Sequence, residues 1–362
     1  MREPGGPEEL VMGEMETPEP GPGEVRIAVA SAGVNRADIL QRRGYYPPPK
    51  GISPILGLEV AGVVDKVGPT DGYAQSGESG TAGGSLLKES DFPSGASDST
   101  TEPLPGASGV ASPPVFRPGD PVVALLAGGG YAEYAVAPVG QCAPVPSSMN
   151  LVKAGGIMET AATVVSNFEH IGVLAGETIL IHGGAGGIGS FAIPYAKQLG
   201  LHVITTVGNE AKAVRARAVG ADVAVNYHGD WESEVRCATS GAGVDAILDI
   251  IGAKYLEPNV NLLARGGRMV VIGLQGGNKG TLDLNKLLTK AATITATSLR
   301  FRPVAEKVAI VHEVAEKVWP LFDSGTIPLP PITTFPLAKA REAHELLDSD
   351  SHMGKIVLTV GS

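Results

Sequence analysis

The segment Ile179-Leu180-Ile181-His182-Gly183-Gly184-Ala185-Gly186-Gly187-Ile188-Gly189 decides the fold of this chain. A buried type of strand runs directly into a glycine-rich turn, and a helix-length segment at residues 188–199 follows it. Gly184, Gly186 and Gly189 have the Gly-x-Gly-x-x-Gly spacing, which lets backbone approach a pyrophosphate while the helix offers it unpaired N–H groups. The sequence therefore predicts a dinucleotide site at residues 184–189. The alternative is a glycine-rich turn that binds nothing.

The alternation of strand and helix continues beyond this turn. A second apolar strand at residues 202–207 precedes a helix at 210–219, and further strands follow at 246–251 and 268–272. Near-continuous apolar strands separated by helices are typical of a parallel sheet covered on both faces. We therefore expect an α/β chain that contains a Rossmann domain with a doubly wound parallel sheet.

The end of the second strand indicates which cofactor binds. The strand ends at Val207-Gly208-Asn209, without the carboxylate that usually binds the ribose 2′-hydroxyl of NAD. Lys212 follows in the next helix. A missing anion and a nearby cation favour a 2′-phosphate, so we predict NADPH, with Gly208, Asn209 and Lys212 lining its pocket. The alternative is that Lys212 is a solvated helix residue.

Composition restricts the class of protein. The 362 residues carry a net charge of −10, without a run of Lys or Arg, which disfavours nucleic acid as the main partner. No apolar stretch approaches the roughly 20 residues that span a bilayer, and no secretory or transit signal is recognisable, so we predict a cytoplasmic location without membrane partners. Two cysteines exclude a disulfide framework and a four-cysteine zinc site.

Outside the predicted Rossmann domain, the chain is rich in β signals. Short strand-like runs at residues 25–30 and 60–64 are bounded by Gly and Pro, and a last strand is expected at 355–360. Residues 69–118 consist largely of Gly, Ser, Thr, Ala and Pro. We interpret them as a flexible insertion within a small β domain, because strand signals resume on the far side. The alternative is a linker between two domains.

Several spaced motifs then occur in a recognisable order. They are Gly33-Val34-Asn35-Arg36-Ala37-Asp38, Arg43-Gly44-Tyr45-Tyr46-Pro47-Pro48, Leu56-Gly57-Leu58-Glu59-Val60-Ala61-Gly62, Gly128-Gly129-Gly130-Tyr131-Ala132-Glu133-Tyr134, Leu248-Asp249-Ile250-Ile251-Gly252, Gly273-Leu274-Gln275 and Gly354-Lys355-Ile356-Val357. Together they resemble the zinc-independent quinone oxidoreductases of the medium-chain dehydrogenase/reductase superfamily. The stress-inducible type is the more similar, and zeta-crystallin is more distant.

The resemblance implies a discontinuous two-domain fold. Residues 1–150, which include the insertion, and residues 301–362 would form a chaperonin-10-like β domain. Residues 151–300 would form the Rossmann domain, with the substrate cleft at the junction and a homodimer as the assembly. Relatives carry a strand ahead of the turn at Pro4, and Met1 lies only three residues upstream here. Either that strand is absent or the predicted start of the sequence is too late; in the first case an unpaired sheet edge follows.

The same resemblance argues against a metal. Zinc alcohol dehydrogenases have Gly-His-Glu where this chain has Gly57-Leu58-Glu59, and Leu58 cannot coordinate zinc. The cysteine ligand expected near Asn35 is also missing. We predict no metal site, with Glu59 as a polar core residue or a contact at the domain junction. Hydride transfer to a quinone or enone then remains feasible, whereas alcohol oxidation is disfavoured.

By family position, three residues are predicted to be catalytic. Tyr46 would face the developing oxyanion, Asn35 would hold a carbonyl oxygen and Thr163 would contact the nicotinamide side. Each has a simpler alternative. Tyr46 could pack within a loop, Asn35 could cap the turn that follows it, and Thr163 could bond to its own helix backbone.

The remaining predicted cofactor contacts also follow from family position. Tyr227 would lie beside the adenosine phosphate, and the ribose, carboxamide and nicotinamide sides would meet Gly252, Gly273, Leu274, Gln275, Ser298, Leu299 and Arg300. Lys355 is interpreted as a surface lysine rather than a phosphate ligand, and His182 as a packed residue at a strand end.

Three functions fit these features. The first is an NADPH-dependent quinone reductase. The second is an NADPH-dependent reductase of 2-alkenals or enoyl compounds, and the third is a non-enzymatic NADPH-binding protein. The predicted partner in the first two is a small-molecule quinone or enone.

Overall fold

The computed structural model describes residues 3–69, 115–349 and 351–361. Most of the predicted insertion at 69–118 lies outside these residues. No helix in the described ranges is both long enough and apolar enough to cross a membrane.

The glycine turn lies in a parallel sheet, as predicted. Its six strands within the described chain are β6 (Thr178–His182), β7 (His202–Val207), β8 (Val223–Asn226), β9 (Val244–Asp249), β10 (Leu263–Val271) and β11 (Thr293–Ala296). They lie in the order β11-β10-β9-β6-β7-β8, and every neighbouring pair is parallel. The order reverses beside β6, which is where a doubly wound sheet binds ligands.

Helices cover both faces of this sheet. Its strands are contacted by α4 (Gly187–Gln198), α5 (Glu210–Ala218), α6 (Trp231–Ala238), α7 (Leu256–Leu262) and α8 (Leu284–Lys290). Helix α3 (Met158–His170) packs on α4 and on α9 (Val304–Lys317), and α10 (Trp319–Asp323) packs on α9, whereas α2 (Leu151–Ala154) packs against strands of a second sheet. Strands with apolar residues on both faces are buried this way, and Ile179, Leu180 and Ile181 are fully buried.

The second sheet joins the beginning of the described chain to its last strand. Its seven strands, within the same described ranges, are β1 (Glu24–Val34), β2 (Glu59–Val67), β3 (Pro121–Leu125), β4 (Tyr134–Pro138), β5 (Cys142–Pro144), β12 (Ile332–Pro336) and β13 (Lys355–Thr359). Two further helices, α1 (Arg36–Arg42) and α11 (Ala340–Asp348), accompany it. β1 pairs with β2, β4 and β13 in antiparallel register, which places Val34 opposite Ile356.

The two sheets share structure at their boundary. Helix α9 packs against α3 and also against the turn at Val139–Gln141 and strand β5, so it contacts both parts of the molecule. The chain re-enters the sheet of β1 at Ile332. The division at residues 150 and 300 stays a prediction.

Candidate active site at the junction of the two sheets

The glycine turn is built so closely that side chains would not fit. A Cβ at Gly184 would collide with Thr205, and one at Gly189 would collide with the backbone of Gly183. Gly183 itself has φ +76, which L side chains rarely adopt. Helix α4 begins at Gly187, one residue earlier than predicted, and directs its first N–H groups toward the turn. These features fit a bound pyrophosphate.

Three of the residues predicted to bind the 2′-phosphate, Gly208, Asn209 and Lys212, follow the end of β7, and Tyr227 approaches them from the end of β8. Asn209 caps α5, because its side chain accepts a hydrogen bond from the backbone N–H of Lys212 at 2.9 Å. A Cβ at Gly208 would collide with the hydroxyl of Tyr227. Lys212 is only 7% exposed, so the alternative of a solvated helix lysine is wrong.

The turns after β9 and β10 lie against each other. Asp249 shapes the first by accepting hydrogen bonds from the backbone N–H groups of Ile251, at 2.6 Å, and Gly252. Burial raises the pKa of Asp249 to about 6. Gly252 has φ +78, and a Cβ there would meet the carbonyl of Gly273. Backbone of the two predicted cofactor segments is thereby brought together.

The rest of these segments is less enclosed. The N–H of Gln275 donates to the carbonyl of Ile250 at 3.3 Å, whereas the side chain of Leu274 is half exposed. Leu299 is partly buried at the edge of the core beneath α3.

Tyr46 lies against the predicted nicotinamide-side segment. Its hydroxyl is 2.7 Å from the hydroxyl of Ser298. Its ring meets Phe301 edge to face at 5.1 Å. Burial raises the pKa of Tyr46, so the phenol stays protonated and can donate a hydrogen bond at neutral pH.

Arg300 holds this arrangement in place. Its Nε donates to the carbonyl of Ala127 at 2.7 Å and its Nη1 to the carbonyl of Tyr46 at 3.1 Å. The guanidinium also stacks over the Tyr46 ring at 5.3 Å. Arg300 is 4% exposed, so the segment of Ser298 is fixed to the loop that carries Tyr46.

A buried polar cluster, formed by Asn35, Glu59 and Lys355, lies at the start of β2 and β13. The Lys355 ammonium contacts Glu59 Oε1 at 2.8 Å and Asn35 Oδ1 at 2.7 Å, and Asn35 Nδ2 donates to Glu59 Oε1 at 2.9 Å. Glu59 Oε2 accepts from the backbone N–H of Glu159 at 3.0 Å. All three of these partners donate to the Glu59 side chain.

Lys355 also touches the glycine turn. The N–H of Gly354 donates to the carbonyl of Ala185 at 2.9 Å, and a Cβ at Gly187 would lie 3.0 Å from Lys355 Cδ. Lys355 is 2% exposed, which corrects its interpretation as a surface lysine. Asn35 points into this cluster, so its amide positions Lys355 and Glu59; direct contact of Asn35 with a substrate stays a prediction.

Thr163 completes the junction from α3. Its hydroxyl contacts Glu159 Oε1 at 3.4 Å, one turn earlier on the same helix, rather than its own backbone. Burial is the main cause that raises the pKa of Glu159 to about 7, and Glu59 and Asp38 add to it. The raised pKa lets this carboxyl hold a proton closer to neutral pH than an exposed glutamate does.

A chain of hydrogen bonds supports the junction from behind. Arg42 donates a hydrogen bond to His344 Nδ1 at 3.3 Å. Because Nδ1 accepts, we assign the ring proton to Nε2, which donates to the Tyr131 hydroxyl at 3.0 Å. Tyr131 donates to Asp38 at 3.3 Å, and Asp38 accepts from the N–H groups of Asn35 and Gly57. Asp38 is thus a structural turn residue.

His182 packs beneath the glycine turn, as interpreted. Its ring nitrogens lie 3.1 Å from Thr206 Oγ1 and 2.8 Å from Asn259 Oδ1. Burial lowers the pKa of His182 to about 4, so it is neutral at physiological pH.

Within the described chain, no cluster of three or more His, Cys, Asp or Glu residues has the arrangement of a metal site. The absence of zinc stays a prediction. Leu58 is buried beside Glu59 and offers no ligand. Cys142 is buried, which raises its pKa to about 12, and Cys237 is exposed.

Sequence reasoning missed Glu159 and misread Lys355. Each is a charged residue within an otherwise apolar run, Ile157-Met158-Glu159 at the start of α3 and Lys355-Ile356-Val357 in β13. A charge in such a run is costly to bury without a partner. That cost was the available signal that both residues have a specific role.

Comparison with known proteins supports this architecture. A model of the alcohol dehydrogenase GroES-like domain matches residues 21–147, and a model of the zinc-binding dehydrogenase family matches residues 187–315. Among solved structures, Escherichia coli quinone oxidoreductase complexed with NADPH is 27% identical with a TM-score of 0.79, covering 98% of this chain and 97% of that one. An NAD-dependent alcohol dehydrogenase is 30% identical with a TM-score of 0.77, covering 100% and 98%.

The chain spans nearly the whole length of one curated relative and only a small part of another. The 2-haloacrylate reductase of a Burkholderia species is 28% identical, over 98% of this chain and 96% of that protein. Pikromycin polyketide synthase component PikAII of Streptomyces venezuelae is 30% identical over 97% of this chain, which spans only 8% of that synthase. Matching family models, coverage and the two sheets agree. This chain belongs to the medium-chain dehydrogenase/reductase superfamily, with a GroES-like β domain and a parallel-sheet Rossmann domain, and its structural neighbours include quinone oxidoreductases.

Proposed function

We propose that this protein is an NADPH-dependent quinone oxidoreductase that transfers a hydride to a quinone without a metal. One observation carries the proposal most directly. Lys355 contacts both the glycine turn, at Gly187, and the buried cluster with Asn35 and Glu59. The cofactor turn and the predicted substrate residues therefore adjoin, which the transfer of a hydride requires.

NADPH is the proposed cofactor. The turn at residues 183–189 fits a pyrophosphate, and Lys212 beside Asn209 supplies the cation for a 2′-phosphate. NADPH bound there supplies the hydride. The E. coli quinone oxidoreductase that this chain resembles was solved with NADPH, which supports the choice.

The protein's own residues bind and orient the substrate. The Tyr46 phenol is a protonated donor at the junction, held by Ser298 and by the Arg300 guanidinium. We propose that it donates a hydrogen bond to the substrate oxygen as negative charge develops there. Because Leu58 offers no zinc ligand, this hydrogen bond replaces Lewis-acid polarisation, and an already electrophilic quinone suits such a site.

A reductase of 2-alkenals or other enoyl compounds is the second candidate. Its support is the similarity over nearly the full length of both chains to the 2-haloacrylate reductase, whose substrate is a conjugated alkene. Both candidates need the same cofactor site and the same oxyanion donor. They differ in whether the substrate must also gain a proton on carbon.

The test is oxidation of NADPH, followed at 340 nm, with a panel of quinones and enones and with zinc content measured in the same sample. We expect turnover of at least one substrate class, unaffected by a chelator. Stoichiometric zinc with chelator-sensitive activity would contradict the metal-free proposal. Tight NADPH binding without turnover of any substrate would favour a non-enzymatic NADPH-binding protein. A homodimer stays a prediction, which analytical ultracentrifugation tests.

A further inference from the structure

We propose that Glu159 is the proton donor of this active site, giving its carboxyl proton to the substrate after hydride transfer. The inference deepens the proposed function and rests on it.

Position is the first point. Glu159 lies in the first turn of α3, and its backbone N–H is fixed to Glu59 at 3.0 Å. Its side chain is only partly buried, although the residues around it are enclosed. Its carboxyl contacts the hydroxyl of Thr163, the residue of α3 that is predicted to contact the nicotinamide side. A proton donor at that place lies beside the predicted site of hydride transfer.

Hydrogen-bond partners are the second point. Glu59 receives three hydrogen bonds, from Asn35, Lys355 and the N–H of Glu159. Glu159 receives a single, longer one from Thr163 at 3.4 Å, and Oε2 has no partner in the described part of the chain. The carboxylate form of Glu159 therefore has fewer hydrogen bonds to stabilise it than that of Glu59.

Charge balance is the third point. Three carboxyls, those of Asp38, Glu59 and Glu159, lie around the Lys355 ammonium, which is bonded directly to Glu59. One cation cannot compensate three anions where partial burial limits their hydration. The least stabilised carboxyl keeps its proton, and burial together with the two other carboxyls raises the pKa of Glu159 to about 7. A general acid works best near such a pKa.

The proposed step balances as follows. Hydride addition forms one C–H bond on an enone. The displaced π electron pair leaves the substrate as an enolate with one negative charge. The O–H bond of Glu159 breaks, its electron pair stays on the carboxylate, and the proton forms the second C–H bond at the α-carbon. With a quinone, the proton goes to the hydroquinone oxygen. NADPH is oxidised to NADP⁺. A proton from solvent then restores the O–H bond of Glu159, whose side chain is partly exposed.

The experiment compares Glu159→Gln with the parent and with Glu169→Gln. Glu169 is an exposed glutamate near the other end of α3, so it controls for the substitution itself. We expect Glu159→Gln to lower kcat by about 100-fold or more with a prochiral α-substituted enone. Glu169→Gln should match the parent. Glu159→Asp, which keeps the acid but withdraws it by one methylene, should recover part of the loss.

The pH profile gives a readout that a structural role would not move. The parent should lose kcat as pH rises above about 7, because the proton of Glu159 is lost. Glu159→Gln should be flat in that range. The parent should also protonate one face of the α-carbon, whereas the variant should give a mixture of product stereoisomers.

Spectroscopy of the cofactor-free protein provides a measurement besides activity. Infrared difference spectra of parent against Glu159→Gln should show one carboxyl C=O band that disappears near neutral pH. If the parent is active and Glu159→Gln keeps its rate, pH profile and product stereochemistry, the proton-donor proposal is overturned and the proposed function is not. A parent that reduces no quinone or enone would contradict the proposed function, and the proton-donor role with it.

Discussion

At the scale of single residues, the Tyr46 hydroxyl is the group expected to hold the substrate oxygen. Tyr46→Phe keeps the ring that meets Phe301 and Arg300 and removes only the hydroxyl with its contact to Ser298. We expect kcat with an enone to fall roughly tenfold or more, because one transition-state hydrogen bond is worth about 1.4 kcal/mol or above. The loss with a reactive quinone should be smaller.

Steady-state kinetics and NADPH titration check this expectation together. NADPH affinity should stay within about twofold of the parent, because the phenol faces the substrate rather than the cofactor phosphate. Ser298→Ala, which keeps the phenol and removes its partner, serves as the comparison and should lose less. Equal turnover of both substrate classes by parent and Tyr46→Phe would eliminate the phenol as a catalytic group.

Lys212 is the residue proposed to determine the cofactor preference. Because its stem is buried, Lys212→Met keeps the apolar volume and removes only the charge. NADPH binding should weaken by about 1–3 kcal/mol, the range for a hydrogen bond to a charged group, while NADH binding stays nearly unchanged. Calorimetric titration measures both.

Arg217→Met is the matched control for this change. Arg217 lies on the same helix, is largely exposed and pairs with Glu210. It should leave both affinities at the parent level. Equal losses for NADPH and NADH in Lys212→Met would remove the phosphate role of this lysine.

Some parts of the candidate site can be predicted from a local sequence pattern, whereas others form only through long-range packing. The turn at residues 183–189 was predictable, because the glycine spacing and its flanking strand are contiguous in sequence. The buried cluster was not, since Lys355 and Asn35 are separated by 320 positions and meet only through the pairing of β13 with β1. The acidity of Glu159 depends in turn on that cluster.

At the scale of elements, β13 contributes a buried ion pair to the junction, between Lys355 and Glu59. Lys355→Met leaves the Glu59 carboxylate buried beside Asn35 without its cation. We expect a loss of about 3–5 kcal/mol in the free energy of unfolding, the cost of breaking a buried pair from one side. Denaturant titration measures this loss.

The double variant Glu59→Gln with Lys355→Met tests the coupling. Removing both charges also removes the stranded carboxylate, so the double variant should be more stable than Lys355→Met alone. Additive losses from the two changes would show that the pair contributes nothing beyond its separate side chains.

Strand order was also predictable to different degrees in the two sheets. In the parallel sheet, apolar runs alternate with helices, and β6, β7, β9 and β10 fall where the pattern places them. The other sheet joins β1 to β2, β4 and β13, which lie far apart in sequence. Its composition predicted strands, but only the family resemblance predicted that the last one returns.

At the scale of the whole molecule, buried titratable groups make stability depend on pH in opposite directions. Burial lowers the pKa of His344 to about 3, so the folded state binds no proton there where the unfolded state does. Its contribution is present above about pH 6.5 and is lost as pH falls toward 3. Glu159, with a raised pKa, acts with the opposite sign.

The contribution of His344 is therefore measured between variants. Glutamine can accept from Arg42 and donate to Tyr131 as neutral histidine does, yet it takes up no proton. Between pH 6 and 5, the unfolding free energy of His344→Gln should change with a slope that differs from the parent by nearly one proton. Identical slopes for the parent and His344→Gln would contradict a buried neutral His344.

The pairing of β1 with β13 has a consequence for biosynthesis. After the ribosome has synthesised β1, it must add about 320 further residues before it reaches β13, the strand that completes this sheet. At about 5–20 residues per second this takes about 15–60 s. The parallel sheet can form during that interval, because its strands are all synthesised before Ile332. A nascent chain stalled ahead of Lys355 would expose one edge of β1 and leave Glu59 without its cation, which makes it a substrate for chaperones and proteases.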